Sequence, residues 1–189
     1  MAGAGRQAPH PVHFHSMISL AISAYTTSNA AGIGNAATAR ALREGRSGLR
    51  PNDLDWVPLP CWIGRIPGID DDDRREFPAR LREFDCRNNR LALLALEQDG
   101  FVAAVADARR RFGAGRIGVF IGTSTSGILS TEIAYQHREP QSGRLPADFR
   151  YETKHNLDAT TEFVRRLLEL TGPAMTISTA CSSSATMAS

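Results

Sequence analysis

The sequence predicts an α/β domain in which a mainly parallel sheet is covered by helices. Strand-like and helix-like segments alternate along the chain, and this alternation is typical of parallel sheets because each crossover between parallel strands usually contains a helix. With 189 residues, of which 42% are hydrophobic, the chain is long enough to bury one core. The net charge of +2 gives no indication of a nucleic-acid partner, and no apolar run approaches the roughly 20 residues that span a bilayer.

In the first half of the chain we expect an arm, a strand, a helix and an irregular segment. Residues 1–16 predict a disordered arm without the apolar stretch of a secretory signal, so a cytoplasmic location is expected. Residues 18–24 predict the first strand. Residues 35–44 predict a helix that is capped by its first residue and ended by Gly45. Residues 50–84 are rich in Pro, Asp and Arg and predict a long surface excursion with short elements.

The second half of the chain predicts regular elements with short connections. A periodic apolar face predicts one long helix over residues 89–112, although Gly100 weakens its middle. The elements predicted after it are a buried strand at 117–122, helices at 128–137 and 157–170, and a short buried strand at 174–179.

Cys181 is the candidate nucleophile. It stands between the predicted strand at 174–179 and a helix-compatible run that starts at Ser182. At the first turn of a helix, free N–H groups and the positive end of the helix dipole stabilise a thiolate, and the amide of the cysteine itself can donate to a substrate oxygen. The small neighbouring residues would let a thioester and its pantetheine arm approach the backbone. On spacing alone, a buried and inert cysteine is the alternative.

Three motifs, in this order, resemble those of β-ketoacyl-acyl-carrier-protein synthases, the condensing enzymes of the thiolase superfamily. Residues 42–49, Leu-Arg-Glu-Gly-Arg-Ser-Gly-Leu, resemble a turn near the start of these enzymes. Residues 117–127 resemble their mid-domain strand and small-residue loop. Residues 179–185, Thr-Ala-Cys-Ser-Ser-Ser-Ala, resemble the nucleophile elbow and are the most specific part. Residues 28–31 depart from the glycine-rich turn that is usual there, whereas residues 155–184 are similar to the ketosynthases of aryl-polyene pigment clusters.

The resemblance implies a fold, a reaction and two site residues. Residues 17–189 would be the N-terminal half of a thiolase-like αβαβα layered fold, ending just after the nucleophile elbow. The implied activity is that of a 3-oxoacyl-acyl-carrier-protein synthase, which performs a decarboxylative Claisen condensation in fatty acid, polyene or polyketide biosynthesis. Cys181 would be the acylated nucleophile, and Thr125 would line the acyl pocket. The reaction implies no dissociable cofactor or metal.

The resemblance also implies partners and a missing part. The acyl and malonyl groups would arrive on the phosphopantetheine of an acyl carrier protein, and the full-length form would be a homodimer or heterodimer. Two histidines, a lysine and a glycine-phenylalanine loop would lie in a second half, and neither His137 nor His155 replaces them. We therefore expect no condensation by this chain alone, and an exposed apolar face that makes it aggregate or bind a partner.

Other functions remain open on the sequence. The chain could be a non-catalytic half-domain or a partner like a chain-length factor, although such partners usually lack the nucleophilic cysteine; it could also be another thiolase-fold acyltransferase. Residues 32–37 fit a dinucleotide-binding fingerprint with Asp53 and Asp55 about 20 residues on, but the segment between the predicted strand and the first glycine is too long for a tight turn. Ser126 suggests a serine hydrolase, but it occupies the place of the second glycine in that motif.

Overall fold

In this computed structural model, residues 20–54, 58–70 and 76–187 are described, so the predicted arm at residues 1–16 lies outside the described residues. The strands are β1 (Ser28–Asn29), β2 (Gly32–Ile33), β3 (Leu49–Pro51), β4 (Trp62–Gly64), β5 (Val119–Gly122) and β6 (Ala174–Ile177). The α-helices are α1 (Asn35–Arg43), α2 (Arg87–Leu96), α3 (Phe101–Phe112), α4 (Ile128–Gln136), α5 (Ala159–Leu167) and α6 (Ser183–Met187).

One parallel pair of strands precedes the candidate site. β5 and β6 run side by side from Val119 opposite Ala174 to Gly122 opposite Ile177. Within the described ranges, the two other sheets are antiparallel hairpins, β1–β2 and β3–β4. The α/β character of the chain is therefore confirmed, whereas among the described residues parallel pairing is seen only in β5 and β6.

The predicted first strand at residues 18–24 is wrong for its described part, residues 20–24, which form no strand. Leu20 and Ile22 are 89% and 84% exposed. A strand is stable only when a neighbour pairs with its N–H and C=O groups and its apolar face is covered. The backbone of residues 20–27 pairs with none of the described strands. Strand propensity is therefore not sufficient here.

Helix α1 confirms the predicted helix but not its predicted cap. The preceding residue, Gly34, has φ of +82°, and the backbone N–H of Asn35 donates to Asp99 Oδ2 at 2.9 Å. A carboxylate distant in sequence, not the side chain of Asn35, therefore satisfies the first amide of the helix. At the other end Gly45, with φ of +60°, donates its N–H to the carbonyl oxygen of Leu42 at 3.2 Å and ends the helix as predicted.

The predicted long helix at residues 89–112 is wrong, because two helices, α2 and α3, occupy this stretch. Between them, Asp99 and Gly100 have φ of +53° and +71°, and a right-handed helix does not continue through left-handed residues. Thr26 Oγ1 donates to Asp99 Oδ2 at 2.8 Å. The break therefore brings the Asp99 carboxylate to the start of α1.

The remaining predicted elements are confirmed with shorter bounds. α4 and α5 fall within the predicted helices, and β5 and β6 fall within the predicted strands. In α5, Val164 is buried and Leu167 is half-buried, and Leu168, directly after the helix, is also buried. The two strands are less buried than expected, because Phe120 is 48% exposed and Met175 is 55% exposed.

The core lies where α5 meets α2 and the 3₁₀ segment Ala79–Phe84. Phe84 and Phe163 are fully buried, with ring centroids 6.2 Å apart. The side-chain amide of Asn89, also fully buried, donates to the carbonyl oxygen of Phe84 at 2.9 Å and accepts from Thr160 Oγ1 at 2.9 Å. The predicted surface excursion at residues 50–84 therefore supplies core side chains at its end. Within the described ranges, no helix has the length and apolarity needed to traverse a bilayer.

Candidate active site

Cys181 lies in the connection between β6 and α6. The 3₁₀ turn Ala180–Ser182 follows the strand, and α6 begins at Ser183. The strand-to-helix corner predicted around Cys181 is therefore present. The thiol is exposed, which argues against the alternative of a buried, inert cysteine.

The residue before Cys181 has an unusual backbone conformation. Ala180 has φ of +53°, in the left-handed region that residues with a Cβ rarely adopt. Such a residue costs about 1–2 kcal/mol relative to the right-handed conformation. The corner therefore needs surrounding contacts that hold this conformation.

Ser183 supplies such contacts. Its side chain is buried, with only 3% of the residue exposed. The hydroxyl accepts a hydrogen bond from the backbone N–H of Thr179 at 2.9 Å and donates to the carbonyl oxygen of Ala180 at 2.7 Å. It also lies 3.3 Å from the carbonyl oxygen of Thr123, which follows β5. One hydroxyl thus joins both sides of the strained turn to the end of the neighbouring strand.

Gly122 lets α6 approach β5 closely. A Cβ atom built on Gly122 would lie 2.8 Å from the carbonyl oxygen of Ser183 and 3.0 Å from the Cα of Ser184. Atoms at such distances overlap, and both neighbours belong to the backbone, so they cannot rotate away. The absence of a side chain at Gly122 is therefore a condition for this packing.

Thr125 lies in the loop that follows β5. The N–H of Thr123 continues the parallel ladder by donating to the carbonyl oxygen of Ile177 at 3.1 Å, and the side chain of Thr125 is exposed beyond it. The N–H of Thr125 donates to Thr123 Oγ1 at 3.3 Å. Because β5 and β6 are parallel, their carboxyl ends meet at one edge, which places the loop of Thr125 and the turn of Cys181 side by side.

Ser126 has a structural task in the same loop. It is buried, and its hydroxyl lies 2.6 Å from the carbonyl oxygen of Asn156 and 3.2 Å from that of Lys154. The N–H of Gly127 also donates to the carbonyl oxygen of Lys154, at 3.0 Å. The hydroxyl therefore anchors the loop to Lys154, in the segment Tyr151–His155, and to Asn156, which follows that segment. This use supports the rejection of a serine nucleophile at Ser126.

The two described histidines are engaged in local contacts. His155 stacks on Phe149 with ring centroids 4.1 Å apart, and its Nδ1 lies 2.7 Å from Thr131 Oγ1. Burial, followed by the nearby charge of Lys154, lowers the pKa of His155. His137 Nδ1 lies 2.8 Å from the carbonyl oxygen of Ile133, within its own helix. That neither histidine replaces a catalytic one stays a prediction.

The dinucleotide-binding fingerprint has the wrong surroundings for a phosphate. β2 is paired antiparallel with β1 rather than lying in a parallel sheet, and the first amide of α1 already faces the carboxylate of Asp99. That carboxylate occupies the place an anion would take at the helix start and repels a second anion.

The described residues also form a groove away from Cys181. It has a volume of about 530 Å³ and is lined by Phe77 and Arg90 among others, but neither Cys181 nor Thr125 lines it. Within the described ranges, no group of three or more His, Cys, Asp or Glu residues is placed to hold a metal ion.

Sequence reasoning missed Ser183 and Gly122 as site residues. Both residues belong to motifs that resemble those of the family. A run of small residues, however, does not show which serine side chain is buried or which glycine a helix packs against. The available signal was position: Ser183 falls two residues after Cys181, and Gly122 ends the predicted strand that precedes the loop of Thr125.

The comparison with known families identifies the family of the chain. The N-terminal domain of β-ketoacyl synthases matches residues 19–189. The chain belongs to the β-ketoacyl synthase family. The family predicted from the motifs is thereby confirmed, and with it a thiolase-like α/β fold; condensing acyltransferases are the enzyme class of that family.

A solved ketosynthase has a similar structure. It is ApeO, in complex with its chain length factor ApeC, from Xenorhabdus doucetiae; the identity is 32%, the TM-score is 0.64, and the match covers 85% of this chain and 39% of that chain. The chain therefore spans well under half the length of this ketosynthase. No curated protein matches the chain at a significant level.

Proposed function

We propose that this chain is the nucleophile-bearing half of a 3-oxoacyl-acyl-carrier-protein synthase. Cys181 attacks the thioester of an acyl group carried on the pantetheine arm of an acyl carrier protein. A bond forms between its sulfur and the acyl carbon, and the pantetheine thiol leaves with a proton. The acyl group is then extended by a malonyl unit that loses CO₂, and the residues for that step belong to the part of the family fold outside this chain.

The observation that carries the proposal is the exposed thiol of Cys181 on a strand–turn–helix corner in a ketosynthase-family chain. Thiols are the most nucleophilic of the ordinary side chains, and a turn at the start of a helix presents N–H groups to an approaching carbonyl oxygen. Thioester exchange needs no metal or dissociable cofactor, since the thiol supplies the nucleophile and the backbone supplies the oxyanion donors.

Thr125 is proposed to line the path of the acyl chain. Its side chain is exposed at the edge of the sheet where Cys181 lies, and its loop is fixed at both ends, through Thr123 to β6 and through Ser126 to Asn156. A fixed loop of small residues suits a pocket wall, because it leaves space while keeping its shape.

A dimer is proposed to form along the outer edge of β6. Phe120 and Met175 are paired across β5 and β6 and are both about half exposed, at 48% and 55%, so they form an apolar patch beside that edge. The similar ketosynthase ApeO is in complex with its chain length factor, which favours a heterodimer. The resemblance of residues 155–184 to aryl-polyene ketosynthases supports a place for the protein in the aryl-polyene branch of the family. We also propose that the protein is located in the cytoplasm.

The alternative of a non-catalytic, chain-length-factor-like partner is disfavoured by Cys181. Such partners usually lack the nucleophilic cysteine, and here the thiol is present and exposed.

The test is the site of acylation in the complete protein. Incubation with hexanoyl-N-acetylcysteamine should add one hexanoyl group, located on Cys181 by peptide mass spectrometry. Cys181→Ala should abolish the addition. Cys61→Ala is the matched control, because Cys61 is also an exposed thiol, and it should leave the addition unchanged. Full acylation of the Cys181→Ala variant would overturn the proposal.

A further inference from the structure

We infer that Ser183 is a positioning residue for Cys181, and that its hydroxyl fixes the direction of the Cys181 backbone N–H. The inference rests on the proposed function, in which Cys181 is acylated and its amide donates to the thioester oxygen. The residue is not itself in contact with the reacting atoms; it acts through the peptide that joins Ala180 to Cys181.

The carbonyl of Ala180 and the N–H of Cys181 belong to one peptide unit. A peptide unit is planar, and in the trans form its C=O and N–H point in opposite directions; no cis peptide occurs in the described residues. The Ala180 oxygen accepts two hydrogen bonds from Ser183, one from its hydroxyl at 2.7 Å and one from its backbone N–H. By holding that oxygen on its own side, Ser183 turns the N–H of Cys181 to the opposite side, away from the interior.

The conformation of Ala180 explains why this control is needed. With φ of +53°, Ala180 stays in the left-handed region only while its neighbours hold it there. The Ser183 hydroxyl contacts the backbone on both sides of the residue, accepting from the N–H of Thr179 at 2.9 Å and donating to the carbonyl of Ala180. Without the hydroxyl, only the backbone N–H of Ser183 still holds the Ala180 oxygen, and the N–H of Thr179 loses its acceptor. Ala180 then relaxes, and the relaxation rotates the peptide that carries the Cys181 N–H.

The packing around Ser183 holds this residue in a fixed position. Only 3% of the residue is exposed, and its backbone lies against Gly122 with no space for a Cβ. Its hydroxyl also lies 3.3 Å from the carbonyl oxygen of Thr123, at the root of the loop that holds Thr125. The Ser183 side chain therefore contacts both the peptide that carries the proposed oxyanion donor and the start of the loop that carries Thr125, the residue proposed to line the acyl pocket.

The experiment compares acylation with alkylation of Cys181 in the complete protein. Single-turnover acylation by hexanoyl-N-acetylcysteamine develops an oxyanion, and it should fall at least tenfold in maximal rate for Ser183→Ala while the half-saturating thioester concentration stays within twofold. Alkylation by iodoacetamide develops no oxyanion and should stay within threefold. Ser184→Ala, an exposed serine of the same helix, is the control and should leave both rates within twofold.

The two rates separate positioning from simple loss of structure. If Ser183→Ala acylates within twofold of the wild type, or if acylation and alkylation fall in parallel, the inference is wrong. Ser183→Thr keeps a hydroxyl at this position, unlike Ser183→Ala, and should therefore keep acylation. Should Ser183→Ala not fold, the same substitution is made in the Ala180→Gly background, where glycine can rotate the peptide freely once the hydroxyl is absent. The double variant should then acylate at least tenfold more slowly than Ala180→Gly alone, and a smaller fall contradicts the inference.

The failure of the inference differs from the failure of the proposed function. A wild-type protein that takes no hexanoyl group on Cys181 contradicts the proposed function. A wild-type protein that is acylated on Cys181, beside a Ser183→Ala variant acylated at the same rate, leaves the function in place and removes only the role of Ser183.

Discussion

Gly122→Ala should separate helix α6 from strand β5. The new Cβ would lie 2.8 Å from the carbonyl oxygen of Ser183, 2.9 Å from its carbonyl carbon and 3.0 Å from the Cα of Ser184. All three are backbone atoms, so relief requires a shift of the helix that begins at the nucleophile turn. Overpacking of this kind costs about 1–3 kcal/mol. The lower chain entropy of alanine in the unfolded state returns about 0.4–1 kcal/mol. We expect a net loss of about 1–2 kcal/mol.

The measurement is the free energy of unfolding in urea of the complete protein used for acylation, with thermal unfolding as a second probe in which Tm should fall. Gly115→Ala is the matched control: Gly115 does not have a positive φ, and its added Cβ would meet only Thr171 Oγ1 at 3.6 Å, an ordinary contact. That control should be neutral or slightly stabilising.

The same variant should lose acylation of Cys181, because the shift of α6 also moves Ser183 and the turn that it holds. A Gly122→Ala protein as stable as the wild type, with unchanged acylation, would refute the reasoning that this glycine is required by close packing. A loss of equal size in Gly115→Ala would do the same, since it would show that alanine is unfavourable at any glycine of this region.

Two further predictions concern stability. Ala180→Gly should raise the free energy of unfolding by about 0.5–1 kcal/mol, because glycine adopts φ of +53° without strain. Its control, Ala185→Gly in the interior of α6, should lower the free energy of unfolding by a similar amount. Urea unfolding checks both signs, and an Ala180→Gly variant less stable than the wild type contradicts the assigned strain. Hydrogen bonds from Arg165, opposed by partial burial and aided by Arg166, lower the pKa of Glu162. The ion pairs of Glu162 with the two arginines should stabilise the fold by about 0.5 kcal/mol, as is usual for such surface pairs. This contribution should be complete above the ordinary glutamate pKa and should be lost as the pH falls through the lowered pKa of Glu162. Glu162→Gln should be less stable than the wild type at pH 7 and equal to it near pH 2, and a gap that widens on acidification contradicts this sign.

The parts that could be predicted from the sequence are those whose signals are local. The helix ending at Gly45 was predictable because glycine after a helix adopts the left-handed conformation that closes it. The corner at Cys181 was predictable because a β-prone run, a small-residue turn and a helix-compatible run follow one another directly. The run of motifs was sufficient to indicate the family, which the match over residues 19–189 confirms.

The parts that could not be predicted depend on residues far apart in the chain. The first amide of α1 is satisfied by Asp99, which lies 64 residues away and reaches it only because the chain turns through two left-handed residues. Residues 18–24 have the composition of a strand, but pairing with a neighbour, and not composition, decides whether a strand forms. Neither event leaves a pattern within a window of ten or twenty residues.

The sequence by itself determined the helix that ends at Gly45, the strand-to-helix corner at Cys181 and the family, because propensity, turn chemistry and motif order are properties of consecutive residues. Only the tertiary structure decided which way the peptide of Cys181 faces. That direction depends on a hydroxyl of Ser183 turned inward and on the missing side chain of Gly122, and such contacts through space exist only once β5, β6 and α6 are packed together.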